Sequence, residues 1–139
     1  MNQKNLTTKE TFDLAVQNHK KNNLQAAEKL YKEILKTNPN FEGAYNNLAN
    51  VLRELGKHQK AISCYEKAIQ INPNYANAHY NLGSVLDELE KHKKAISCYE
   101  KAIQIQPNYA NAHYNLGNVL HELGKHQKAI SCYEKAIQI

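Results

Sequence analysis

The sequence predicts an all-α fold, a solenoid of stacked helix pairs, and three observations carry that prediction. A 34-residue period runs through nearly all of the 139 residues. Each period holds two stretches whose apolar residues recur at helical spacing. Proline and glycine return at the places where those helices would end. The string KAISCYEKAIQI stands at 60–71, 94–105 and 128–139, and PNYANAHYNLG at 73–83 and 107–117. A diverged copy, AAEKLYKEILKTNPN at 26–40, lies one period before KAISCYEKAIQINPN at 60–74. These matches divide the chain into an N-terminal tail, 1–7, and repeats 8–41, 42–75, 76–109 and 110–139, the last one truncated.

The elements follow in order. Thr7-Thr8-Lys9-Glu10 has the form of a capping box, which starts the first helix near Thr8. In 76–89, Ala78, Leu82, Val85, Leu86 and Leu89 line one helical face. In 93–105, Ala95, Ile96, Tyr99, Ala102, Ile103 and Ile105 do the same. Gly56 and Gly124 stand where first helices end and supply a left-handed cap. Glu90 takes that place in the third repeat, at a cost of about 0.5–1 kcal/mol if the site is left-handed. Pro39, Pro73 and Pro107 stop the second helices. Small residues allow close packing: Ala49, Gly83 and Gly117 on first helices, against Ala61, Ala95 and Ala129 on second ones. Helices this short are marginal alone, so stacking must bury their apolar stripes.

The two ends differ. Gln17 and Asn18 stand where later repeats have Val-Leu, the polar face expected of a terminal cap. At the other end the pattern stops at Ile139, mid-repeat, which reads as a fragment of a longer protein. Ile130, Tyr133 and Ile137 would then lie on the face that a fifth repeat covers.

Composition excludes several classes. Lys+Arg number 18 against 13 Asp+Glu, a net charge of +5, but Arg53 is the only arginine. Nucleic-acid surfaces lean on arginine forks, so no nucleic-acid partner is expected. The polar start MNQKNLTTKE has no apolar core of a secretory signal, and no apolar run approaches the roughly 20 residues of a membrane span. A soluble, cytoplasmic protein with no membrane partner is the expectation. Cys64, Cys98 and Cys132 form no CxxC or CxxH, so free thiols in a reducing compartment are expected, with no metal and no cofactor. The histidines fall in two rows, His58/His92/His126 and His79/His113. Equivalent places in neighbouring repeats are roughly 10 Å apart, too far for one metal, so these histidines read as packing or capping residues. No phosphate loop, nucleophile motif or paired carboxylate gives catalysis a foothold, so no enzyme activity is expected.

The pattern resembles the tetratricopeptide repeat, W-x2-L-G-x2-Y followed by A, F, A and P. The third repeat reads His79, Leu82, Gly83 and Leu86, then Ala95, Tyr99, Ala102 and Pro107. The second gives Tyr45, Leu48, Ala49 and Leu52, then Ala61, Tyr65, Ala68 and Pro73. Thr11, Tyr45, His79 and His113 replace the tryptophan. The resemblance implies a right-handed superhelix whose first helices line a concave groove that binds a protein or peptide partner. Carried over residue by residue, the groove positions are Asp13, Asn47, Asn81 and Asn115, then Val16, Asn50, Ser84 and Asn118. Phe12, Asn46, Tyr80 and Tyr114 stand beside them.

A row of carboxamides suits a peptide backbone, because each offers donors and an acceptor whatever the side chains are. It resembles the asparagine ladder in the repeat arm of O-linked N-acetylglucosamine transferases. The alternative is that these asparagines bond locally or are simply solvated. The cations that clamp a C-terminal carboxylate in chaperone-binding repeats are missing, since Asn46, Asn111 and Asn115 or Phe12 take their places. Lysines alternating with Glu66, Glu100 and Glu134 on second helices read as a solvated outer face. The expected function is a protein-interaction scaffold, with Asn47, Asn50, Tyr80, Asn81, Tyr114, Asn115 and Asn118 as its contact residues. Two rivals remain open: a substrate-recruiting arm of a larger enzyme, and end-to-end self-association through the C-terminal repeat.

Overall fold

The computed structural model describes residues 6–139, so residues 1–5 of the expected tail lie outside it. Among the described residues there are eight helices and no strand. They are α1 (Thr8–Lys20), α2 (Leu24–Thr37), α3 (Glu42–Glu54) and α4 (His58–Ile71), then α5 (Ala76–Glu88), α6 (His92–Ile105), α7 (Ala110–Glu122) and α8 (His126–Gln138). Two compact units result, one ending at Ile71 and the other spanning Asn72–Ile139.

Local chemistry accounts for the helix ends. The capping box is formed: Glu10 N–H donates to Thr7 Oγ1 and Thr7 N–H to Glu10 Oε1, each at 3.1 Å. That backbone donor holds the Glu10 carboxyl below the usual carboxylate range. Every first helix closes on the same pair of turns. Lys57 N–H reaches Leu52 O at 2.8 Å and Gly56 N–H reaches Arg53 O at 3.0 Å, and the other three repeats repeat both bonds. The geometry needs one left-handed residue. Gly56 and Gly124 supply it at φ 78°, Asn22 at 64° and Glu90 at 60°. Asparagine tolerates this region, whereas Glu90 carries the strain its position implied.

Second helices end two residues before each proline. In the link after α4, Asn74 N–H donates to Asn72 Oδ1 at 3.2 Å, an Asx turn that rounds the corner. The link is tied to the next helix by histidine. His79 Nε2 lies 2.9 Å from Pro73 O, and His113 Nε2 2.8 Å from Pro107 O. A carbonyl only accepts, so Nε2 carries the proton in both. Both imidazoles are buried, as packing histidines.

Each unit has its own core. In the first, Ala27, Tyr31, Val51, Leu52 and Tyr65 are buried between α1–α2 and α3–α4; in the second, Val85, Leu86, Tyr99 and Val119 fill the equivalent places. The small first-helix residues make room for a ring rather than for the facing alanines. A Cβ on Gly83 would stand 2.9 Å from Tyr99 Cε1, and one on Gly117 2.7 Å from Tyr133 Cε1. Ala61, Ala95 and Ala129 are themselves buried. On α1 the polar substitutions serve local bonding: Asn18 Nδ2 donates to Leu14 O at 2.9 Å and Asn18 Oδ1 accepts from Asn23 at 3.3 Å.

Candidate functional site

The residues singled out on first helices are polar side chains standing over a layer of buried phenols. In the first unit, α3 presents Asn46, Asn47 and Asn50. Tyr65 OH donates to Asn50 Oδ1, and Asn47 Nδ2 donates to Tyr31 OH at 3.3 Å. Asn46 is buried and its Nδ2 bonds Asn47 Oδ1 at 3.4 Å. Phe12, at the equivalent place on α1, stacks on Phe41 with centroids 5.1 Å apart. Asp13 is exposed and Val16 half-buried.

The second unit repeats this layer with more aromatic surface. Tyr99 OH donates to Ser84 Oγ at 3.2 Å, and Tyr133 OH to Asn118 Oδ1 at 2.6 Å. Asn115 Nδ2 donates to Tyr80 OH at 2.8 Å, and Asn115 also bonds the Tyr99 phenol. The Tyr80 ring lies on Tyr109 with centroids 5.0 Å apart, and Tyr109 OH donates to Asn77 Oδ1 at 2.9 Å. Asn81 is half-buried. Tyr114 packs one side of its ring against Tyr133 at 5.7 Å and leaves 54% of its surface exposed.

Burial pushes the Tyr99 and Tyr109 phenols up to about 12, so both stay protonated donors at any physiological pH. These two phenols add no charge to a surface that is aromatic and rich in carboxamides. Burial likewise pushes up the free thiols of Cys64 and Cys132, which disfavours the reactive thiolate.

Sequence reading located these residues but missed what holds them. Asn50–Tyr65, Ser84–Tyr99 and Asn118–Tyr133 are all fifteen residues apart, a fixed offset that was readable as a helix-to-helix pairing. Each bond uses part of a carboxamide and leaves capacity. Asn118 accepts from Tyr133 and still has two N–H donors, and Asn115 keeps its acceptor oxygen after meeting two phenols. Among the described residues, no helix is long and apolar enough to cross a membrane.

Known proteins place the architecture. No curated protein matches the chain. A crystal structure of MamA superposes with a TM-score of 0.89 at 27% identity, covering 95% of this chain and 77% of that one. MamA residues 41-end from Desulfovibrio magneticus RS-1 give 0.85 at 23% identity, covering 95% and 75%. The all-helical repeat solenoid is the fold they share. Tetratricopeptide repeat models match residues 41–108 and 110–139. With four in-phase copies of the pattern, the chain belongs to the tetratricopeptide repeat family, whose members are protein-interaction scaffolds.

Proposed function

We propose that the chain is a non-enzymatic, cytoplasmic scaffold that holds an extended segment of a partner protein along the groove of its first helices. Asn47, Asn50, Tyr80, Asn81, Tyr114, Asn115 and Asn118 are the contact residues. The observation that carries this reading is Tyr114: a large ring, 54% exposed, next in sequence to a carboxamide with acceptor capacity. An aromatic face beside backbone-bonding groups is the chemistry an extended peptide meets. Covering such a ring is worth about 1–2 kcal/mol. With a peptide selected from an array, Tyr114→Ala is expected to weaken binding roughly five- to thirtyfold, as read by fluorescence anisotropy, with an unchanged melting temperature. Unchanged affinity in Tyr114→Ala, with binding lost on replacing Lys94 and Lys101, would move the site to the second helices.

A second reading rests on α8. Ile130, Ile137 and Ile139 are 48%, 83% and 52% exposed, whereas the identical string on α6 has Ile96, Ile103 and Ile105 half-buried. That edge supports end-to-end association of the chain with itself. Sedimentation is expected to show concentration-dependent association that Ile137→Lys weakens. A strict monomer at high concentration would rule this reading out.

A further inference from the structure

Three ligating atoms converge where the end of α5, the start of α6 and the end of α7 meet. His92 Nδ1 lies 3.2 Å from Asp87 Oδ1 and 3.7 Å from Glu122 Oε2, and all three atoms fall within 4.8 Å of one another. Ligands held about 2.0–2.2 Å from a tetrahedral Zn²⁺ stand roughly 3.3–3.6 Å apart. A cation therefore fits among these three after small side-chain adjustments. The side chains are 28%, 24% and 54% exposed, which gives solvent access to the remaining coordination position.

Register makes this constellation singular. The places of Asp87, His92 and Glu122 are filled by His19, Leu24 and Glu54 two periods earlier. There His19 pairs with Glu54, and Leu24 brings no third ligand. One period earlier the first place holds Arg53, a side chain that stays cationic and does not ligate. One period later it holds His121, whose Nδ1 lies 3.1 Å from His126 Nδ1. Only the third repeat, completed by the fourth, brings two carboxylates to one imidazole in this register.

We propose that Asp87, His92 and Glu122 bind one divalent transition-metal ion of the zinc class, cross-linking the third and fourth repeats. Two carboxylates supply the negative charge that balances the ion, and one imidazole nitrogen favours zinc, cobalt or nickel over the oxygen-seeking magnesium and calcium. The metal joins three helices that otherwise meet only through packing and ion pairs. A protonated His92 bridging both carboxylates is the competing explanation of the same distances.

Calorimetric titration of the full chain with zinc chloride separates the two. One ion per chain is expected, with affinity lowered at least tenfold in Asp87→Asn, His92→Gln and the conservative, more exposed Glu122→Gln. Thermal melts with and without zinc give a second readout. The wild-type melting temperature should rise with zinc, and each variant should lose that rise whatever its metal-free stability. The His121→Gln/His126→Gln double variant should keep it. Cobalt substitution should give d–d bands without thiolate charge transfer, placing the ion away from Cys64, Cys98 and Cys132. Absence of saturable zinc binding would leave the ion-pair bridge as the explanation. Binding that survives Asp87→Asn and His92→Gln, or disappears only in the double histidine variant, would overturn the site.

Discussion

Tyr99→Ala is expected to lower the unfolding free energy by about 3–5 kcal/mol, the range for truncating a fully buried aromatic. Tyr99 is 1% exposed, and its ring rests on Gly83, where a Cβ would come within 2.9 Å. Gly83, directly beneath the ring, has no side chain to fill the space it leaves, and Tyr80 of the same helix flanks the ring with centroids 5.8 Å apart. Most of the cost is therefore cavity and lost contact. Tyr99→Phe separates the two components. It removes the hydroxyl that donates to Ser84 Oγ and meets Asn115, and Ser84 keeps its own bond to Tyr80 O at 3.2 Å. A loss of about 0.5–1.5 kcal/mol is expected. Domains of this size are stable by only about 5–15 kcal/mol, so the alanine variant should shift the urea midpoint strongly. Because repeats contact only their neighbours, its transition should also broaden as α5–α6 uncouple from α7. An unfolding free energy for Tyr99→Ala within about 1 kcal/mol of that for Tyr99→Phe would show that the ring is not part of the core.

The fold was legible because its determinants are local and recur. The period marks the helix pairs, the capping box starts α1 at Thr8, and Glu90, which takes the place of Gly56 and Gly124, is left-handed at φ 60°. What stayed hidden depends on how side chains meet across helices. Spacing alone suggests a row of asparagines facing a ligand, and the phenols that engage Asn47, Asn50 and Asn118 come from the second helices beneath. The Asp87–His92–Glu122 cluster escaped for a related reason. Equivalent histidines in neighbouring repeats are kept apart by a helix diameter. The atoms that converge come from three different places in the register, and the length of Glu122 closes the gap from the next first helix.

The carboxamides of the second unit offer the functional test with the largest effect. Asn81→Ala combined with Asn115→Ala is expected to weaken several unrelated extended peptides by a similar factor. Two hydrogen bonds worth about 0.5–1.5 kcal/mol each correspond to roughly five- to 150-fold in affinity. First helices packed at about 8–10 Å put equivalent asparagines one period apart within reach of every third residue of a strand rising ~3.3 Å per residue. Phenol bonding decides which half of the amide is used. Asn115 directs N–H donors toward Tyr80 and Tyr99, so its oxygen is left to accept a peptide N–H. Asn115→Asp should accordingly keep more affinity than Asn115→Ala for peptides with basic residues, while losing the donors that hold both rings. Melting curves of each variant separate that internal loss from binding. Calorimetry showing the double alanine variant at wild-type affinity, while Lys60→Ala and Lys94→Ala abolish binding, would overturn the groove and assign recognition to the basic faces of α4 and α6.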